Sequence, residues 1–205
     1  MTTLPTLDPD GRPTPVTLFL AIHHALRRDA HRFPVALRAA TDLPRVARHW
    51  DQYREILVFH HDQEDALLFP QVLAEAPELA GVVEQLAADH HSLDDLLVRV
   101  DAACAALPAG AAACADLVAH LATVLGRHLD LEEEHLVPVM ERGTLADGPA
   151  PGGGPQNPAF TLPWLADDLA PDVVTALLAA MPADWRSSFP EWQSAYRTGP
   201  VPSAA

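Results

Sequence analysis

The sequence predicts an all-α protein: an up-down-up-down antiparallel four-helix bundle with a short helical C-terminal extension. Apolar residues recur at helical spacing in four long segments of the 205-residue chain. No segment of any length alternates apolar and polar residues in the way that a half-buried strand does. The connections between the four segments are short, and short connections favour antiparallel neighbours.

Each segment carries its own start or stop signals. Thr14 and Pro15 are a capping residue followed by a proline in the first turn. Pro34 predicts a kink in the first helix, and Pro70 should kink or end the last turns of the second. With further breaks near residues 42–44, at Pro77 and at "PAG", the predicted helices cover residues 16–40, 44–75, 77–107 and 111–142.

Beyond the fourth helix the composition changes. The stretch "GTLADGPAPGGGPQNP" is typical of a linker, whereas the tail after it carries three of the four tryptophans. Such aromatic content favours a tail that packs on the bundle. The predicted boundaries are an N-terminal tail at 1–13, the bundle at 14–142, a linker at 143–160 and an extension at 161–205.

Charge and composition exclude several classes of partner. The formal net charge of −15 argues against nucleic acid and against anionic membranes, which both attract cations. No apolar run is long enough to span a membrane, and the first residues lack the features of a secretory signal. We therefore expect a cytoplasmic protein that is a monomer or a weak homodimer. Cys104 and Cys114 lack metal-type spacing, so free thiols are expected rather than a disulfide.

A repeat points to the functional site. "FHHDQEDALLFP" (59–70) and "RHLDLEEEHLVP" (127–138) both place a His four residues before a Glu and ten before a Pro. "IHHALRRD" on the first helix likewise matches "DHHSLDDL" on the third. The chain therefore reads as two copies of one helical hairpin. The register of the copies selects the first His of each doublet, so the candidate ligands are His23, His60, Glu64, His90, His128 and Glu132.

This pattern predicts a metal centre. Residues four apart on a helix lie on one face, so each His-x-x-x-Glu presents an imidazole and a carboxylate to a common point. Four His and two Glu in an apolar core need a partner, and a metal suits all six. Because no thiolate is among them and carboxylates can bridge, we expect two iron ions, with manganese or zinc as possible substitutes.

These residues resemble the hemerythrin-like, or HHE cation-binding, family. The resemblance covers residues 16–142 and places the six candidates on the family's motif positions; the "PW…LP" tail is similar to one in bacterial members. It implies a four-helix bundle with a non-haem di-iron site that meets dioxygen, peroxide or nitric oxide. The implied function is to bind such a molecule or to react with it. Oxygen binding and the response to oxidative stress are the roles that this implies. Whether the protein is an enzyme stays open, and a non-catalytic sensor of oxygen, nitric oxide or iron, or an iron store, is the alternative.

The chain also departs from the oxygen-carrying members. Asp94 stands where they have a second His on the third helix, which implies a less His-rich shell and argues against reversible oxygen carriage. Some relatives place a ligating Glu directly after the helix-2 His, where this chain has His61, so His61 is a candidate additional ligand. Asp65 and Glu133, which follow ligands, are interpreted as supporting or surface groups.

Two further patterns have a structural interpretation. Glu132 and His135 form the Glu-x-x-His of ferritin-like proteins, but Leu67 stands where the second helix would need its His, which disfavours that class. Helical spacing also predicts a second polar layer about 12 Å from the metals. We interpret its members as satisfied core groups, with a proton path, a redox-active Tyr53 or an accessory metal site as the alternative; they are His31, His49, Tyr53 and His120.

Overall fold

A computed structural model describes residues 4–40, 42–142 and 157–198, and within these ranges the regular structure is helical, without a strand. The prediction of an all-α protein is confirmed. Its α-helices are α1 (Pro15–Ala39), α2 (Leu43–Gln63), α3 (Phe69–Glu75), α4 (Ala80–Ala105), α5 (Ala111–His135), α6 (Val137–Met140), α7 (Pro158–Ala166), α8 (Pro171–Ala179) and α9 (Ala183–Thr198).

The described residues divide into two compact units. One contains residues 4–25 and 157–198, and the other contains residues 26–40 and 42–142. Helix α1 runs from the first unit into the second and continues through Pro34. None of the described helices is long and apolar enough to cross a membrane.

In the second unit, α4 and α5 form an antiparallel hairpin, and α2 packs against α4. The buried face of α4 includes Leu86, Leu93 and Leu97, with His90 in the same stripe. Helix α5 repeats this arrangement, because Leu121, Leu125 and His128 share its buried face. The helical periodicity that builds the apolar core therefore also carries the imidazoles into it.

Pro70 changes the course of the second helix without ending it. A π-helical turn at Glu64–Leu68 joins α2 to α3, and the Phe69 N–H donates to the Glu64 carbonyl. Pro70 has no N–H to donate to the preceding turn, so the chain widens there and then regains α-helical form up to Glu75. Single π turns of this kind are frequent at functional sites.

Pro138, the counterpart of Pro70 in the repeat, follows a different break. Helix α5 ends at His135 and α6 begins at Val137. The intervening Leu136 donates its N–H to the Glu132 carbonyl at 2.7 Å. The two halves of the repeat are thus alike in sequence but not in local geometry.

In the first unit, α7 packs against α9. Trp164 is fully buried, and the Phe160 and Tyr196 rings meet edge to face with centroids 5.7 Å apart. Helix α7 begins at Pro158, within the last residues assigned to the linker, while residues 143–156 of that linker lie outside the described residues. The docking of the extension on the bundle as a whole stays a prediction.

Candidate metal centre

Two groups of buried His and Glu side chains come together in the second unit. In the first, His61, Glu64, His90 and His128 each offer one donor atom, and these atoms lie within 4.8 Å of one another. In the second, His60, Glu64 and Glu132 meet within the same distance. Glu64 belongs to both groups.

The i,i+4 spacing of each His-x-x-x-Glu pair brings its two donors together. Nε2 of His60 lies 3.1 Å from Oε1 of Glu64. On α5, Nε2 of His128 lies 3.3 Å from Oε1 of Glu132. Each pair spans about one helical turn, so its donors converge on one point beside the helix.

His60 and His61 serve different groups, although they are neighbours in the chain. Adjacent residues on an α-helix point about 100° apart, since one turn takes 3.6 residues. The two imidazole centroids are 6.0 Å apart, and both residues are buried. The His61 ring stacks on the His90 ring at 4.1 Å, which places it with α4, while His60 lies beside Glu64.

The donor atoms of the first group fit a metal ion. Both ring nitrogens of His61, both carboxylate oxygens of Glu64, and Nε2 of His90 and of His128 are buried without a hydrogen-bond partner among the described residues. Leaving so many polar atoms unsatisfied in an apolar core is costly. A cation that accepts lone pairs from imidazoles and carboxylates removes that cost.

The electrostatics favour the protonation states that bind metal, at least for the imidazoles. Burial lowers the pKa of His61, and the neighbouring imidazoles of His90 and His60 lower it further. Burial also lowers the pKa of His90, so both rings stay neutral and can donate a lone pair. Burial and the charge of Glu132 raise the pKa of Glu64, because two carboxylates share one apolar space.

Carboxylates lie behind two of the imidazoles, and one of them is within hydrogen-bond distance. Nδ1 of His90 lies 3.1 Å from Oδ1 of Asp65, and Nδ1 of His128 lies 3.8 Å from Oδ2 of Asp89. A carboxylate on one ring nitrogen fixes the tautomer and leaves Nε2 for a metal. The position of Asp65 is compatible with its interpretation as a supporting group, whereas Asp89 lies too far from His128 for a hydrogen bond. The position of Asp89 near His128 was not predicted from the sequence, although Asp89 directly precedes His90.

Glu133 points away from the centre. Its carboxylate is paired with the Arg27 guanidinium, which also donates to Asp130 at 2.9 Å. The pairing ties α1 to α5 and agrees with the interpretation of Glu133 as a supporting group.

The histidine doublets differ in which members are buried. His90 is buried and His91 is exposed, with its Nδ1 2.8 Å from the Ala87 carbonyl. His23 is fully buried, and its ring centroid is 4.0 Å from that of Phe19. His24 is half-buried and lies 3.7 Å from Asp168. The doublet at 60–61 alone among the three has both members buried. His23 as a ligand stays a prediction.

The composition of the first group bears on the expectation of a less His-rich shell, which stays a prediction. Asp94, which replaces the helix-3 His of the oxygen carriers, is exposed. His61 joins His90 and His128 instead, so this group contains three imidazoles. The group thus gains one histidine from α2, His61, where the oxygen carriers have a second histidine on the helix that corresponds to α4.

The second polar layer exists, and it contains two of the four predicted members, His49 and Tyr53, together with Asp29. Asp29 is buried and accepts hydrogen bonds from Nε2 of His49 at 2.6 Å and Nε of Arg28 at 2.8 Å. Tyr53 is buried and donates to the Leu26 carbonyl at 3.2 Å. Burial, with the Asp29 charge nearby, raises the pKa of Tyr53, so its hydroxyl stays protonated.

His31 and His120 do not belong to this layer, because both are exposed. Each lies eight residues from its ligand along the helix, which rotates it about 80° off the ligand's face. Tyr53 lies seven residues from His60 and stays within about 20° of that face. The expectation of four core groups is therefore wrong for the two histidines.

An apolar cluster closes the α3 end of the centre. Phe69 stacks on the His90 ring with centroids 5.5 Å apart. The cluster keeps bulk water from this side of the donors, and its buried members are Phe69, Val72, Ala76, Val83, Leu86, Leu136 and Val139.

Fold and site together describe a helical protein with buried groups of imidazoles and carboxylates that could hold a metal ion. The model of the hemerythrin HHE cation-binding domain matches residues 14–140. The chain therefore belongs to that family, as its motifs predict. Neither a curated protein nor a solved structure matches it.

Proposed function

We propose that this protein is a non-haem di-iron protein that binds and reacts with a small oxidant or gas, namely peroxide, dioxygen or nitric oxide. One observation carries the proposal: Glu64 is shared by two groups of buried donors. A carboxylate in that position can bridge two ions through its two oxygens. Imidazole and carboxylate donors without thiolate suit iron, with manganese or zinc as possible substitutes.

The proposed ligands divide between the two ions. His61, His90 and His128 serve one ion, His60 and Glu132 serve the other, and Glu64 serves both. We assign His23 to the second ion on the helical register of α1. Arg27 lies one turn beyond His23 and pairs with Glu133, the residue next to Glu132.

The chain's residues prepare the centre for a small ligand. The neutral rings of His61 and His90 donate lone pairs without first losing a proton. Asp65 orients the ring of His90, and the Phe69 cluster excludes water on one side. An iron pair held there would exchange electrons with bound peroxide, dioxygen or nitric oxide. Because Glu64 and Glu132 are anionic donors, they favour the ferric state, and we therefore expect reaction with the oxidant over reversible oxygen carriage.

The test is metal analysis with optical spectra of protein from iron-supplied cells, before and after peroxide. We expect two irons per chain, a spectrum that changes on oxidation, and peroxide consumed over many turnovers. His128→Ala should lose both metal and turnover, and His91→Ala should keep both. An oxygenated spectrum that disappears under vacuum and returns with air would contradict the reactive function and indicate carriage. A single stoichiometric response would instead support a sensor, and many irons per chain a store.

A further inference from the structure

The two cysteines face each other at the turn between α4 and α5. Cys104 lies in the last turn of α4 and Cys114 in the first turn of α5, with their Sγ atoms 3.0 Å apart. Both are free thiols. An S–S bond is about 2.05 Å long, so the two sulfur atoms would need to approach by roughly 1 Å to form it.

Solvent reaches this pair from one side only. Cys104 is partly exposed and lines an open cavity of about 620 Å³, together with Trp50, Arg54 and Asp101. Arg54 and Trp50 both donate hydrogen bonds to Asp101, which holds that wall of the cavity in place. Cys114 is fully buried. A small oxidant entering the cavity meets Cys104, with the second sulfur directly behind it.

The pair is remote from the metal centre. Cys104 follows His90 by fourteen residues, and Cys114 precedes His128 by fourteen. At 1.5 Å per residue, each sulfur lies about 21 Å along its helix from the nearest candidate ligand. The thiols are therefore no ligands of that centre, and the proposed metal site does not account for them.

We propose that Cys104 and Cys114 are a redox-active dithiol that peroxide converts into a reversible intrachain disulfide. One thiol attacks the O–O bond and becomes a sulfenic acid, and the peroxide loses its other oxygen as water. The second thiol then displaces the sulfenic hydroxyl as water and forms the S–S bond. In sum, two thiols lose two electrons and two protons, and one hydrogen peroxide becomes two waters.

The chain offers a direct measurement. Cleavage after Arg99 and Arg127 releases both cysteines in one peptide, residues 100–127. The reduced full-length protein is treated with hydrogen peroxide, and its remaining thiols are labelled with a maleimide. The mass of this peptide is then measured by mass spectrometry. We expect it to lose the mass of two hydrogens and labelling to fall from two thiols to none. A dithiol reductant should restore both.

Cys104→Ser and Cys114→Ser are the matched controls. Each keeps one thiol and should form no intrachain crosslink, so the remaining sulfur should be trapped as sulfenic acid by dimedone. The proposal is overturned if the wild-type peptide only gains oxygen atoms, or if peroxide produces disulfides between chains instead. Because the readout is the peptide's mass, the outcome does not depend on turnover at the metal centre.

Discussion

Nδ1 of His90 on α4 lies 3.1 Å from Oδ1 of Asp65, which follows Glu64 in the π-helical turn after α2. The contact orients the His90 ring from behind. We therefore expect Asp65→Asn to weaken metal binding by about 10- to 100-fold, the usual cost of losing such a partner. Titration of the metal-free protein with metal measures this change in affinity. Asp62→Asn, on an exposed neighbouring position, is the control and should bind like the wild type.

His61 is expected to be a ligand of the first group. His61→Ala removes one of three imidazoles, so metal content should fall from two ions per chain toward one. His91→Ala also removes the second His of a doublet, but from an exposed position, and should keep both ions. If His61→Ala retains two ions of unchanged affinity, His61 is a buried neighbour and not a ligand.

Glu64 should matter more than any other single ligand, because both groups use it. Glu64→Ala is expected to weaken both sites, whereas Glu132→Ala should weaken the second site most. Metal stoichiometry at increasing chelator concentration separates the two patterns. Glu134→Ala, an exposed carboxylate of the same run, serves as control. Equal losses in Glu64→Ala and Glu132→Ala would contradict the sharing.

Asp29 should stabilise the fold in a pH-dependent way. Burial alone would raise its pKa, but the hydrogen bond from His49 and the charge of Arg28 outweigh burial and hold the pKa well below its usual range. Its stabilisation is therefore present above the unfolded pKa of about 3.9, and is lost as the pH falls toward the folded pKa. At neutral pH, Asp29→Asn should cost about 3–5 kcal/mol, the cost of breaking a buried pair.

Urea denaturation at neutral and at acidic pH tests this expectation, with both proteins in the same metal state. The difference in the free energy of unfolding between the wild type and Asp29→Asn should decrease as the pH falls below about 4. Asp116→Asn removes an exposed pair with Arg38 and should cost no more than about 1 kcal/mol. A difference that stays constant with pH would mean that packing, and not charge, explains the effect.

The C-terminal extension should contribute to the free energy of unfolding of the protein. Trp164 is fully buried in the first unit, and Trp164→Ala should cost about 3–5 kcal/mol in the free energy of unfolding. Trp185 is only half-buried, so Trp185→Ala should cost clearly less. Removal of the chain after Gly148 should likewise lower the melting temperature. Unchanged melting after that removal, with rapid proteolysis of the extension in the intact protein, would show that the bundle does not depend on it.

The helices, the two His-x-x-x-Glu pairs and the family were predictable from the amino-acid pattern alone. These features are local, because a helical period and an i,i+4 spacing need no knowledge of the neighbouring helices. The same local rule accounts for Tyr53 in the core. The rotation of 100° per residue would also have excluded His31 and His120 from the core, because both lie about 80° off the ligands' face.

Which residues contact one another across helices could be seen only in the folded chain. In sequence, His24, His61 and His91 are alike, each the second member of a doublet, yet His61 alone among them is buried, and its ring contacts those of His90 on α4 and His128 on α5. The pairing of Asp29 with His49 and of Cys104 with Cys114 depends in the same way on two helix faces meeting. Such contacts follow from the rotation of each helix about its axis within the packed core, which the chain's local pattern does not specify.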